Sequence, residues 1–393
     1  MQGLIFDNPN AHLPHDGFAG ALAGRVWRAD RGGPCVAAIR EDGVFDLSHS
    51  FPTMRDLAEC AEPAAALRAA TGERIGGFAE ILAATPRDAA PAGATRFLAP
   101  LDLQAIKAAG VTFAVSMLER VIEERTRGDA ASAAAIRAEV TALVGGDLAA
   151  LKPGSTEAMR LKQVLIEQGA WSQYLEVGIG PDAEIFTKSQ PLSAVGTGAD
   201  AGLNPVSNWN NPEPEIVLVV ASDRRIVGAS LGNDVNLRDV EGRSALLLGK
   251  AKDNNASCAI GPFIRFFDAT FSLDDVRKAD VSLVVEGEDG FRLDGRSSLS
   301  MISRDPADLV GQMIGPHHHY PDGAALFLGT MFAPIQDRGA PGQGFTHKMG
   351  DVVTISTPKL GALVNRMRRC DECEPWTFGV SHLMRHLAKQ GLL

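Results

Sequence analysis

Apolar positions follow two rhythms along this chain, and the change between them divides it. From about Val177 onward, short runs rich in β-branched residues predict strands: "EIVLVV", "RRIVGASL", "VSLVVEG", "ALFLGTMFAP" and "DVVTISTP", separated by Gly, Asp and Pro turns. "EIVLVV" is apolar without a break, the mark of a strand covered on both faces. One helix, roughly Leu237 to Leu248, interrupts the strands, and another follows Ser381. Upstream the spacing is helical. Met117, Val121 and Ile122 share a face of a helix over Ser116 to Arg127. A second helix is expected from Asp129, a good N-cap, to Gly145-Gly146, and a third over 156–175. The first 84 residues mix strand-like runs ("GRVWRA", "CVAAIR") with a helical stretch from Met54 to Ala70. "TPRDAAPAGATR", Thr85 to Arg96, reads as a linker. No internal repeat is visible. The pattern predicts an α+β chain: a small N-terminal α/β domain with its linker over 1–96, then a strand-rich domain over 97–393 with a helical region at about 113–175.

Composition narrows the partners. Of 393 residues, 45% are hydrophobic and 22% charged, the balance of a globular protein with a sizeable core. A net charge of −10 without any block of Lys and Arg argues against a nucleic-acid surface. No run approaches eighteen apolar residues, so no membrane span is expected. The first residues lack a basic segment followed by an apolar one, and the five cysteines are odd in number and scattered. A cytoplasmic setting is the expectation.

Candidate chemistry gathers around "NWNNPEPEIVLVV". Side chains alternate along a strand, so Glu213 and Glu215 point the same way, about 7 Å apart. Two like charges at the mouth of a core strand are destabilising without a positive partner. Asp234, in "SLGNDVNLRD", follows the next strand. Its ordinary role would be a helix N-cap. If the two strands pair, however, three carboxylates converge, a set suited to Mg²⁺, Mn²⁺ or Ca²⁺. Pro214 suggests a bulge or strand edge there. Lys250 and Lys252, in "LGKAKDNNASCAIGPF", fall on the loop after the inserted helix. Either is a surface lysine by default, but one beside an enolate could stabilise it or move a proton. "SMLE", Ser116 to Glu119, has the form of a capping box opening its helix.

Other patterns carry less. His317, His318 and His319 are consecutive rather than spaced as metal ligands are, and they precede a Pro-Asp-Gly turn. Cys370 and Cys373 form a CxxC without a second pair. "GTGADAG" is not a dinucleotide fingerprint, and no GxSxG elbow occurs.

"NPEPEIVLVV", "IVGASLGNDVNLRD", "KDNNASCAIGPF" and "ALFLGT" occur in that order and resemble the fumarylacetoacetate hydrolase superfamily over residues 101–365. The resemblance implies a mixed β-roll catalytic domain. It implies Mg²⁺ ligation by Glu213, Glu215 and Asp234, with Lys252 at the reacting centre. Thr330 and Arg238 are implied at the substrate carboxylate, and Lys188, in "EIFTK", as a further substrate contact. The family's hydrolases carry His-x-x-Glu on a lid helix. Here "GVTFAVSMLER" has Ser116 in place of the His and retains Glu119. Serine cannot replace imidazole as a base near neutral pH. The altered lid is similar to that of the family's sugar-acid dehydratases. It implies a Mg²⁺-dependent loss of water from a 2-keto-3-deoxy sugar acid, giving 2,5-dioxopentanoate, in a homodimer or homotetramer. An acylpyruvate hydrolase, an oxaloacetate decarboxylase and a non-catalytic sugar-acid binder are the competing expectations.

Overall fold

The computed structural model describes residues 6, 8–86, 93–127, 151–167, 169, 171–332, 336–339 and 344–393. The helix expected from Asp129 to Gly146 lies outside the described residues, as does the Ser116 side chain. The strands are β1 (Ala21–Arg28), β2 (Gly33–Arg40), β3 (Gly43–Asp46), β4 (Glu73–Gly76), β5 (Arg96–Leu98), β6 (Ala105–Gly110), β7 (Glu184–Ser189), β8 (Asp200–Leu203) and β9 (Asn210–Asn211). They continue with β10 (Pro214–Val220), β11 (Ile226–Asp234), β12 (Asn236–Leu237), β13 (Cys258–Phe266), β14 (Asp280–Glu286), β15 (Arg292–Ser298), β16 (Ala324–Phe327), β17 (Val352–Thr357) and β18 (Gly361–Arg369). Two mixed sheets result. The larger runs β4-β3-β2-β1-β13-β11-β10-β16-β6-β7, with β5 also on β1, and the smaller runs β15-β14-β17-β18-β8. The two-residue strands β9 and β12 pair separately.

The unbroken apolar run becomes β10, buried at every position between β11 and β16. Its alternation divides the interior in two. Ile216, Leu218 and Val220 pack in the core that includes Leu283, Val285, Ile355 and Leu363 of the smaller sheet. Val217 and Val219 face the other way, toward Ile106, Ala108 and Phe327, with Met54, Leu57, Ala64 and Leu67 from two helices. Each such side chain contributes about 1.5–3 kcal/mol by burial. The glutamates thus stand at the head of a strand with no exposed face.

Among the described residues, the first 96 form no separate sheet. β1 pairs antiparallel with β13, Leu22 opposite Arg265, so the N-terminal strands extend the larger sheet. Arg265 is fully buried and ion-paired to Asp16 at 2.6 Å, which removes the cost of an unpaired charge at that junction.

Several helices differ from the pattern for local reasons. The expected helix over Leu237 to Leu248 is a short helix Arg238–Glu241, a 3-10 turn Ala245–Leu247 and a helix Leu248–Lys252. Ser244 restarts the chain by accepting the Leu246 N–H. Lys250 and Lys252 therefore sit on that last helix, not on a loop. The stretch 156–175 splits into Thr156–Glu167 and Gln173–Ile179, with Gly169 at φ +65° and Ser172 capping the second piece. The lid helix is Ala114–Thr126, so Ser116 and Glu119 lie inside it and the expected capping box is absent. Asp234 ends β11 and caps no helix; the next helix has Leu237 at its N-cap. Pro214 lies in register with Asn233, and the bulge falls at Val219/Val220 instead. Among the described residues, no helix is long and apolar enough to cross a membrane.

Gly232 sits opposite Glu215, where a Cβ would come within 2.2 Å of Phe327 and 2.6 Å of Val217. Gly232→Ala is expected to lower stability by about 1–3 kcal/mol through overpacking. A urea midpoint equal to that of the wild type would contradict this.

Candidate active site

Strand register assembles the site. Glu213 precedes β10, Glu215 lies on it, and Asp234 is the last residue of β11. The Asp234 N–H donates to the Glu213 carbonyl at 3.1 Å, which holds their side chains together. Carboxylate oxygens of Glu213, Glu215 and Asp234 lie within 4.8 Å of one another, and all three residues are buried. The strand pairing considered from spacing alone is present, and it brings the three to one point. The donor set is all oxygen and highly charged, which fits a hard divalent cation.

The carboxylates are met by cations from four separate segments. The Lys252 ammonium donates to Glu213 and, at 3.0 Å, to Asp234 Oδ2. Lys188, on β7, pairs with Asp234 Oδ1 at 2.7 Å and donates to the carbonyls of Val235 and Lys252. Arg120, on the lid helix, reaches Glu213 at 2.5 Å and Glu241 at 2.9 Å. Arg238 stacks on Trp209 at 4.2 Å and lies 3.4 Å from Glu119. The Glu215 carboxylate accepts the Gly329 N–H at 2.6 Å. Gly329 adopts φ +85°, and a Cβ there would come within 2.1 Å of Thr112. Only glycine makes that turn without strain.

These contacts move the site's proton affinities. Burial pushes the Glu215 carboxyl well above its usual range, reinforced by Asp234 and Glu213. Burial also opposes ionisation of Asp234, but Lys188 and Lys252 outweigh it and hold that carboxyl low. Burial would lower the Lys252 ammonium, yet Asp234 and Glu213 keep it raised, so it stays charged. Glu184, at the start of β7, is pushed up to about 7 by burial and then by Glu241.

The cavity above these groups is lined by Glu119 and Arg120 of the lid and by Glu213, Glu215, Asp234, Lys252, Arg238 and Thr330. Of the residues singled out in the sequence, Lys188 is not on its wall. It is fully buried, paired with Asp234 and bonded to the Lys252 carbonyl. Lys250 is exposed and does not line the cavity. His317, His318 and His319 lie on an exposed loop. Cys370 and Cys373 are free thiols. Sequence reasoning missed Arg120, Glu184, Glu241 and Asn211, all of which line the cavity. Arg120 adjoins Glu119 on the lid, and Glu184 opens the "EIFTK" strand. Their neighbours were the only signal.

Comparison with known proteins gives similarities in sequence and in fold. No family model matches the chain. It is 28% identical over 186 residues to 2-dehydro-3-deoxy-D-arabinonate dehydratase of Saccharolobus solfataricus, covering 47% of this chain and 59% of that protein. It is 30% identical over 192 residues to a probable 2-keto-3-deoxyxylonate dehydratase of Haloferax volcanii, covering 49% and 62% respectively. The matches therefore span about three fifths of those relatives' length. Among solved structures, 2-keto-3-deoxy-D-arabinonate dehydratase complexed with magnesium and 2,5-dioxopentanoate superimposes with a TM-score of 0.60 at 21% identity, over 88% of this chain and 99% of that one. A fumarylacetoacetate hydrolase from Exiguobacterium antarcticum superimposes with a TM-score of 0.50 at 16% identity, over 89% and 99%. The resemblance read from "NPEPEIVLVV" and its companions thus has counterparts in both comparisons: the chain is similar in sequence to two pentonate dehydratases and shares the fold of 2-keto-3-deoxy-D-arabinonate dehydratase and of a fumarylacetoacetate hydrolase.

Proposed function

We propose that this chain is a divalent-metal-dependent dehydratase that converts 2-keto-3-deoxy-D-xylonate to 2,5-dioxopentanoate. The observation that carries the reading is the buried triad of Glu213, Glu215 and Asp234 beneath a lid helix that presents Glu119. Charge supports a metal. Glu119, Glu184, Glu213, Glu215, Asp234 and Glu241 are six carboxylates, set against four cations, Arg120, Lys188, Arg238 and Lys252. With all six ionised, one divalent ion closes that deficit. The relatives support the reaction and the product class, and Mg²⁺ is the ion named for one of them.

A cation held by the triad would act as a Lewis acid toward the 2-keto and carboxylate oxygens and so acidify C3. The chain's own residues do the rest. Glu119 takes the proton from C3 and delivers one to the departing C4 hydroxyl. Lys252, kept as an ammonium, faces the developing enolate oxygen. Arg238 and Thr330 hold the substrate carboxylate. Lys188 fixes Asp234 and the Lys252 backbone from behind. A second proton loss, at C5, gives an enol that tautomerises to the semialdehyde. Ser116 stands where the hydrolases of the family carry the His of their dyad, which removes the imidazole needed to activate water for C–C cleavage.

With Mg²⁺ or Mn²⁺ the purified protein should form 2,5-dioxopentanoate from 2-keto-3-deoxy-D-xylonate and leave acylpyruvates essentially uncleaved, and EDTA should abolish the turnover. Cleavage of fumarylpyruvate with the deoxy acid untouched would assign it instead to the hydrolases.

Glu119→Gln should lower kcat by about 10² to 10⁴ while leaving the melting temperature close to wild type. Normal turnover in that variant would remove Glu119 from the chemistry.

A third expectation concerns pH in the metal-free protein. Glu184 binds a proton up to about 7 when folded, against an ordinary value of 4.5. Between these values the folded state holds a proton that the unfolded chain has released, so this group's contribution to stability falls as pH rises through that window. Glu184→Gln should match the wild type near pH 4.5 and become progressively more stable than it toward pH 7.5. Urea melts of EDTA-treated protein measure the difference, and a constant offset across the range would contradict it.

A further inference from the structure

The cavity holds a polar group that the proposed chemistry does not use. Asn211 is buried, lines the cavity and lies two residues before Glu213. Its amide Nδ2 donates to the Pro212 carbonyl at 2.9 Å, which orients the side chain and leaves Oδ1 as the remaining acceptor. Among the described residues, Asn211 Oδ1 has no hydrogen-bond partner. Directly across the β9–β12 pair stands Asn236, fully buried, whose Oδ1 and Nδ2 also lack partners among the described residues. Opposed residues of an antiparallel pair project to the same side. Buried amide atoms are nearly always paired, so three idle ones together call for an explanation. The backbone is not free to relax them. β9 is held by β12, and Pro212 restricts Asn211 to extended backbone.

We propose that Asn211, flanked by Asn236, is a hydroxyl-recognition subsite that accepts a hydrogen bond from the terminal C5 hydroxyl of the sugar acid. The inference rests on the dehydratase reading of this cavity and specifies what the reading leaves open, which substrate atom the uncharged wall reads. The cations account for the carboxylate end of such an acid. The other end is neutral, and an amide suits it because it adds no charge to a pocket already rich in carboxylates. An acceptor is also the wrong partner for the C4 hydroxyl, which must be given a proton in order to leave. It is the right partner for a hydroxyl that stays. A site built to bond a hydroxyl rejects the analogue that lacks it, because its own buried group is then left unpaired.

Two acids without a C4 hydroxyl, 5-hydroxy-2-oxopentanoate and 2-oxopentanoate, cannot lose water and so report binding alone. Calorimetry on the Mg²⁺-loaded protein should show the wild type binding the hydroxylated acid about tenfold more tightly. Asn211→Leu should bind the two acids within about twofold of each other, with Mn²⁺ affinity and binding of 2-oxopentanoate close to wild type. Asn211→Ala takes its place should the leucine variant fail to fold, and the wild-type comparison needs no variant. A wild type that binds the two acids equally overturns the subsite, as does a variant that keeps the full preference. Binding of neither acid overturns both the subsite and the substrate class beneath it. A preserved tenfold preference in a protein that never dehydrates the deoxy acid supports the subsite while refuting the reaction.

Discussion

Carboxylate crowding at the head of β10 is the constraint on which the rest of the site depends. Glu213, Glu215 and Asp234 are buried within 4.8 Å of one another, with Glu184 and Glu241 close by. Left alone, such a cluster would repel itself and take up protons. The protein opposes this with fixed cations drawn from distant parts of the chain. Most of them tie their own element to the sheet. Arg120 binds the lid helix to Glu213 and to the short helix that carries Glu241. Lys188 joins β7 to the end of β11 and to the helix ending at Lys252. Compensation is incomplete, and the raised affinities of Glu215 and Glu184 for protons mark what is left over. That residual negative charge is what makes the cluster a place for a metal.

Rigid pairing supplies the precision a metal site needs. β10 is hydrogen-bonded on both sides and buried on both faces, so Glu215 has little freedom beyond its own torsions. Gly232 lets β11 close against Phe327 beside it, and Gly329 brings an N–H to its carboxylate. Glu119, the proposed proton shuttle, sits on a different kind of support. Glu119 belongs to a helix joined to the sheet by ion pairs and by a small apolar cluster of Met117, Val121, Leu175 and Trp209. In the proposed reaction, carboxylates on the sheet and Glu119 on a lid separate what must stay fixed from what must meet a substrate.

The apolar run of "EIVLVV" and the alternation around Glu213 and Glu215 were legible because both depend on neighbours one or two residues away. The same is true of the strand ending at Asp234. Lys188 shows where that reading stops. Its parity on β7 is shared with Glu184 and Phe186, which do line the cavity. Burial, not direction, separates it from them, since its ammonium is taken up by Asp234 and the Lys252 carbonyl. "SMLE" fails differently: the pattern is correct for a cap, but the lid helix begins at Ala114 and encloses it.

What the sequence determined by itself was the strands of the second half and the carboxylates that converge at their ends, since period, turn residues and order along the chain are local properties. Tertiary structure decided which cations answer that cluster. The Arg120–Glu213 and Lys188–Asp234 pairs join residues far apart in the chain and have no signature in spacing. It also decided that the N-terminal strands extend the larger sheet, because a strand edge in isolation does not reveal its partner. The idle atoms of Asn211 and Asn236 emerged only there too. A sequence shows that an amide is present, but whether burial leaves its hydrogen bonds unmade depends on everything folded around it.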